Sequence, residues 1–260
     1  MKRVILNYLV IAAIAVAAVF TSCKKDTETV YTVKLLKTIT VCCIKSDGHD
    51  ENIGKYDKYK FEYDEQNRIT KMSEYSFDGD LSYTNAFTYD GDDLVQVLYS
   101  HSGGFSTSEY TKNGNIITEK CNGTTYTIEL DIDGLPVKLD RGDGKNYDIY
   151  EYQDGNLTEK TGIFELPEYD YTEYHRYSYG YDNQKGALYH CNTPKWYLVL
   201  HLSDFGVKNN KTDEYWTRHW GEYIYEFDSA EFPAKRTYKN TWGMAGHVKE
   251  WVEKFTYIKK

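Results

Sequence analysis

The chain has 260 residues, with 31 Lys plus Arg against 40 Asp plus Glu, a formal charge of −9. That acidity leaves no basic surplus to neutralise phosphates and argues against a nucleic-acid partner, and beyond residue 20 no apolar run approaches the ~20 residues of a spanning helix, which excludes a polytopic helical membrane protein. Its 27 Tyr, 10 Phe and 5 Trp, beside 3 Met and 4 Pro, favour strands over helices in a chain long enough to bury a real core.

Met1-Lys2-Arg3 is a short basic start, Val4 to Phe20 is almost unbroken apolar sequence, and Thr21-Ser22 lead into Cys23. This is the layout of a secretory signal. A Cys directly after small residues resembles the lipobox of bacterial lipoproteins, although Phe20 stands where Leu or Val is usual. The resemblance implies that residues 1–22 are a lipoprotein signal peptide and that Cys23 is the acylated first residue of the mature chain. Two or more acyl chains anchor stably, since each buried CH₂ contributes ~0.8 kcal/mol. The competing reading is an uncleaved membrane anchor. No Asp follows Cys23 directly, so the common inner-membrane retention signal of Gram-negative lipoproteins is absent. The expected address is the outer membrane, on the periplasmic side or the cell surface. Residues 23–29, with Lys24 and Lys25 before Asp26 and Glu28, read as a solvated tether.

A single β domain is expected over residues 30–260. Residues 30–43 alternate, placing Tyr31, Val33, Leu35, Ile39 and Val41 on one face of an opening strand. Lys45 to Lys55 is a polar loop. From residue 56 a unit recurs: Phe61-Glu-Tyr63-Asp64, Phe87-Thr-Tyr89-Asp90, Ile128-Glu-Leu130-Asp131, Tyr150-Glu-Tyr152-Gln153-Asp154-Gly155 and Tyr225-Glu-Phe227-Asp228, with weaker copies at Tyr110 and Tyr181. In each copy two apolar residues two apart share a strand face, an Asp/Asn/Gly cluster turns the chain, and an apolar residue resumes on the return. The unit is a β-hairpin with a short loop. Early spacings of 20–29 residues between anchors suit stacked supersecondary units.

These copies resemble the YD repeats of RHS-type bacterial shell proteins, closest in Tyr152-Gln-Asp-Gly-Asn-Leu157-Thr158 and in Tyr63-Asp64 to Ile69-Thr70. With the lipobox, the chain is similar to a family of uncharacterised envelope lipoproteins with a porin-like β fold. The resemblance covers residues 56–240. It implies no catalytic or binding residues, and the autoproteolytic core of the large RHS proteins is missing.

Further along, residues 164–172 carry Pro167 and read as a turn. A strand follows with His175, Tyr177, Tyr179 and Tyr181 in phase. Residues 189–213 break the pattern: Tyr189 to Pro194 reads as a turn with Thr193 as a helix cap, Lys195 to Phe205 as a short apolar strand or helix, and Val207 to Thr212 as polar loop. Residues 215–258 return to strands. The expected fold is all-β, an antiparallel meander of repeated hairpins in a curled or barrel-like sheet. Short segments with Tyr in place of Leu and Val argue against a lipid-facing barrel.

Cys42, Cys43, Cys121 and Cys191 allow three complete disulfide pairings or free thiols, a bond between adjacent Cys42 and Cys43 being strained. All five Trp lie in the last quarter of the chain. If one strand runs unbroken from Tyr215, then Trp216, Arg218 and Trp220 share its solvent face and form a stacking platform for sugar rings. A bulge at Gly221 would instead turn both Trp into the core. Acidic turns at Asp90–Asp93, Asp131–Asp133 and Asp140–Asp148 have calcium-like spacing, but turn chemistry explains them without a metal. Asp228-Ser229-Ala230 fits a short O-glycosylation motif. Neither a metal nor a cofactor is expected, and no serine elbow, zinc motif or phosphate loop is present. The leading expectation is a non-enzymatic lipoprotein acting as a binding or structural module, whose partners are the membrane and a glycan or envelope protein. The alternatives are a glycan-binding lipoprotein using the Trp platform and a carbohydrate-active enzyme built on two carboxylates.

Overall fold

The computed structural model describes residues 33–46, 49–51, 55–166, 171–216, 219–242 and 247–260. The signal, the tether and Cys23 lie outside the described residues. Among those described, seventeen strands form one antiparallel sheet. They are β1 (Lys34–Ser46), β2 (His49–Glu51), β3 (Tyr56–Tyr63), β4 (Ile69–Tyr75), β5 (Leu81–Asp90), β6 (Asp93–His101), β7 (Gly104–Asn113), β8 (Ile116–Cys121) and β9 (Thr124–Leu130). They continue with β10 (Pro136–Asp140), β11 (Tyr147–Gln153), β12 (Asn156–Leu166), β13 (Tyr171–Lys185), β14 (Asn209–Trp216), β15 (His219–Phe227), β16 (Pro233–Trp242) and β17 (His247–Lys259). Each strand from β3 onward pairs with its successor, and β1 pairs with both β3 and β17. Sixteen strands thus close into a barrel, with three-residue β2 folded back on the end of β1.

The repeat explains the meander. Its anchors at Tyr63, Tyr89, Tyr110, Leu130, Tyr152, Tyr181 and Phe227 fall on successive odd strands β3 to β15, so the turns after them all lie at one end of the barrel. In three copies the Asp builds the same turn. Asp64, Asp131 and Asp228 each accept, through Oδ1, the N–H groups two and four residues on, at 2.8–3.3 Å. The third residue after each Asp has positive φ: Asn67, Gly134 and Glu231. The tyrosine has its own task. Tyr63, Tyr89 and Tyr152 donate their phenol protons to the carbonyls of Leu36, Ile69 and Pro136 on the preceding strand of the ring, at 2.7–2.8 Å.

The segment that breaks the repeat closes the same end. Between β13 and β14 the chain forms α1 (Lys195–Leu202) and a 3₁₀ turn (Ser203–Phe205). Residues 186–208 are tied around the barrel rim. Asn192 donates its N–H to the carbonyl of Asn67, Thr193 Oγ1 accepts the N–H of Ile69 at 2.8 Å, and His190 Nδ1 accepts that of Lys34 at 3.0 Å. Thr193 is therefore no helix cap: Pro194 occupies that position without a side-chain cap bond. Inside, Trp196, Tyr197, Leu198, Leu202 and Phe205 pack on Phe61, Phe87, Tyr110, Ile117 and Ile128 from five strands. The core is thus a plug against the inner wall of the barrel, and the inward side chains are the aromatic set of the repeat.

Outward positions include the ion pairs Lys71–Glu62, Lys138–Glu129, Arg176–Glu159 and Lys235–Glu226. A lipid-embedded barrel turns apolar residues outward, and a Lys or Arg at the bilayer midplane costs ~2–4 kcal/mol. The outer face of this barrel mixes such ion pairs with exposed Leu98, Ile149, Tyr174, Trp220, Ile224 and Val248.

The described part of the opening strand runs from Lys34, and residues 30–32 lie outside the described residues. A register shift between Leu36 and Thr38 changes its phase, so Leu36 joins Ile39 and Val41 on the inner wall. Cys42, Cys121 and Cys191 are free thiols, and the Cys43 side chain lies outside the described residues.

Candidate functional site

Two ladders of aromatic rings run across the inner wall. Tyr223, Tyr238 and Trp251, on β15, β16 and β17, stack with centroids 4.5 and 5.2 Å apart. Tyr177, Trp216 and His219, on β13, β14 and β15, stack at 5.4 and 4.8 Å with planes inclined by 14°. Each ladder follows from antiparallel register, which puts directly opposed residues on one face: Tyr177 opposes Trp216, which opposes His219.

This register overturns the expected platform. The chain does not run as one strand from Tyr215 to Phe227: β14 ends at Trp216 and β15 begins at His219. Tyr215 opposes Trp220 on the outer face, whereas Trp216 opposes His219 on the inner one. Arg218 lies outside the described residues. The two indoles therefore sit on opposite sides of the sheet, and both faces of Trp216 are already covered by Tyr177 and His219. Gly221 makes no bulge. It leaves room on the inner face, where a Cβ would come within 2.8 Å of Glu214 and 3.0 Å of Tyr238.

Beside Trp216 the wall and the tip of the plug enclose a cavity of about 420 Å³, lined by Tyr177, Tyr179, Ser203, Asp204, Lys211, Glu214, Trp216, His219 and Asn240. That is a small-molecule volume. Lys211 organises its charge. Its side chain is only 3% exposed, and its ammonium lies 2.5 Å from Asp204 and 3.1 Å from Glu214. The Tyr179 ring supplies a cation–π contact at 4.8 Å. Tyr238 donates to the other oxygen of Glu214 at 3.0 Å. Burial pushes the Asp204 carboxyl up, but Lys211 outweighs that and holds it below its ordinary value. Asp204 is nevertheless 64% exposed and lines the cavity. Among the described residues, Asn240 Oδ1 is buried without a hydrogen-bond partner. The triad Asp204–Lys211–Glu214 has one net negative charge.

The sequence singled out Trp216, though for the solvent face, and the phase of Tyr177 and Tyr179, but carried no sign of Asp204, Lys211, Glu214, His219 and Asn240. They come from the plug and three strands, and the Lys211–Glu214 contact crosses a register shift opposite Gly180/Tyr181. No local pattern marks them.

The acidic turns bind backbone. Asp131 Oδ1 accepts from Asp133 and Leu135, and Asp140 Oδ1 from Gly142 and Gly144. Among the described residues no His/Cys/Asp/Glu group is arranged to hold a metal. A larger cleft of about 600 Å³ lies at the closed end. Its Asp131 is committed to the turn and its Lys112 to Asp93. The aromatic cavity keeps polar atoms in reserve and is the candidate site.

No protein-family model and no curated protein matches the chain. Among solved structures, the chain is similar to a porin-like protein from Bacteroides uniformis, at 12% identity over 86% of this chain and 96% of that one, with a TM-score of 0.47. It is also similar to a porin-like protein from Bacteroides vulgatus, at 11% identity over 87% of this chain and 99% of that one, with a TM-score of 0.36.

Proposed function

We propose that this protein is a non-enzymatic lipoprotein of the outer membrane, anchored through Cys23, whose plugged barrel is a binding module that receives a small ligand beside Trp216. The observation that carries the reading is the plug. Residues 186–208 stopper one end of a barrel whose inner wall still holds a polar-aromatic cavity. A barrel stoppered by its own chain suits a vessel better than an open pore, and acyl chains on Cys23 would hold it at the membrane.

The enzyme alternative has one point in its favour. Asp204 and Glu214 both contact Lys211, so their oxygens are within about 6 Å, in the range of glycosidase carboxylate pairs. Such a pair needs one protonated member as general acid. Lys211 holds the Asp204 carboxyl below its ordinary value, which disfavours Asp204 as that acid. Turnover of chromogenic glycosides that is lost in Glu214→Gln would refute the non-enzymatic reading.

Two experiments test the rest. Cys23→Ala releases the protein from the membrane fraction, and retention of that variant contradicts the anchor. A thermal-shift panel of sugars, amines, organic acids and acyl chains identifies a stabilising ligand whose effect vanishes in Trp216→Ala and persists in Trp220→Ala. A panel with no hit, or a hit dependent on Trp220, sinks the binding module.

A further inference from the structure

The atoms that the cavity leaves unpaired select the chemistry of its occupant. The lining offers hydrogen-bond acceptors in excess. Lys211 spends its ammonium on Asp204 and Glu214, and Tyr238 spends its phenol on Glu214. Asp204 is largely exposed, and among the described residues Asn240 Oδ1 is buried with no donor. Leaving such an acceptor dry costs about 1–3 kcal/mol, which an occupant with a matching donor recovers. The phenols of Tyr177 and Tyr179 and the hydroxyl of Ser203, which accept and donate alike, complete the polar lining.

Three ligand classes are disfavoured. An anion meets the carboxylates of Asp204 and Glu214 and the oxygen of Asn240, with Lys211 committed to those two carboxylates and the nearby Arg236 and Lys58 to Glu253. An acyl chain would bury those oxygens unpaired. A flat ring seeking a stacking face finds Trp216 covered on both sides and Tyr179 covered by Lys211. What remains is a compact molecule that presents several donors around its rim and is neutral or positively charged. A volume of about 420 Å³ accommodates one or two pyranose units.

We infer that the cavity binds a hydroxyl-rich saccharide unit, neutral or amino-bearing, through donors directed at Asp204 and Asn240, and that it rejects acidic sugars. The inference rests on the binding-module reading of the same site and adds the class of ligand and the two residues that choose it. Amino sugars bind more tightly than their neutral counterparts, because an ammonium gains from Asp204 what a hydroxyl does not.

The test is isothermal calorimetry on the full chain in detergent, with glucose- and galactose-type mono- and disaccharides, their 2-amino forms and the matching uronic acids. Asn240→Leu keeps the side-chain volume and removes the acceptor, and Asp204→Asn removes the charge. Each is expected to raise Kd at least tenfold, with Asp204→Asn also erasing the preference for amino over neutral sugars. Circular dichroism and the melting transition of each variant verify folding, and outward-facing Trp220→Ala leaves binding unchanged. Uronic acids binding as well as neutral sugars, or saccharide binding indifferent to Asn240 and Asp204, overturns the inference. A non-saccharide ligand lost in Trp216→Ala overturns the ligand class alone and leaves the binding module standing. Saccharide binding lost in Trp220→Ala and kept in Trp216→Ala overturns both.

Discussion

The phenol of Tyr152 on β11 donates to the carbonyl of Pro136 on β10 at 2.7 Å. Tyr63 to Leu36, Tyr89 to Ile69 and Tyr257 to Pro233 repeat the arrangement at 2.8 Å. Each bond joins an inward tyrosine near the end of one strand to the start of its neighbour. A phenylalanine would fill the same core volume, so the hydroxyl is the part of the repeat that locks strand to strand at the closed rim.

Tyr152→Phe is therefore expected to lower stability by about 1 kcal/mol, the net worth of such a bond. Tyr63→Phe should add to it independently, since β3 and β11 lie on opposite sides of the sixteen-strand ring. Urea unfolding of the single and double variants checks both statements, and an unchanged midpoint would show the hydroxyls to be idle.

Gly186→Ala strikes where the plug leaves and rejoins the wall. Gly186 and Gly206 are pressed together, so that a Cβ on Gly186 would lie 2.2 Å from the Gly206 carbonyl oxygen. Leu188 N–H donates to that same oxygen at 3.0 Å. Backbone cannot swing aside as a side chain can, and overpacking of this kind costs about 1–3 kcal/mol. Hydrogen exchange should show the loss concentrated in residues 186–208, with β7 to β9 nearly unchanged.

Glu253→Gln leaves Arg236 buried without its counter-charge. Arg236 Nε donates to Glu253 at 2.8 Å, and Nη1 also holds the carbonyl of Asp204 at the tip of the plug. Removing one partner of such a pair costs about 3–5 kcal/mol, whereas replacing both with apolar residues of similar size costs less. Denaturation of Glu253→Gln against the double variant Arg236→Met/Glu253→Leu makes the comparison. A double variant worse than the single would contradict it.

Alkali should unfold the barrel through its tyrosines. Burial raises Tyr225 to about 12, and raises Tyr152, Tyr223 and Tyr257 further. The unfolded chain releases these protons near pH 10 while the folded one retains them. The stability gained from keeping the phenols neutral is therefore complete below pH 10 and is lost as pH rises through the folded values. Phenolate absorbance and circular dichroism, followed together from pH 9 to 12.5, should show the buried tyrosines ionising only as the sheet melts. Their smooth titration with the dichroism unchanged would oppose this account.

Alternation and turn chemistry are local, which is why hairpins, their count of anchors and the all-β class were legible from the residues alone. Phe61 and Tyr63 must share a face because strand periodicity is two, and Asp64 must fold the chain because its carboxylate reaches amides two and four residues on. The in-phase run from His175 to Tyr181 likewise fell on one wall. What lay beyond reading was anything that depends on which strands meet. A two-residue connection at 217–218 separates Trp216 from Trp220, and a one-residue register shift after Leu36 changes the phase of β1. Closure of β1 on β17 joins residues more than 200 apart in sequence, and the plug brings Asp204 to Lys211 against Glu214 and Asn240 from different strands. Local pattern carries no information about such meetings, because their free energy comes from desolvating and pairing groups that only the closed barrel brings within reach.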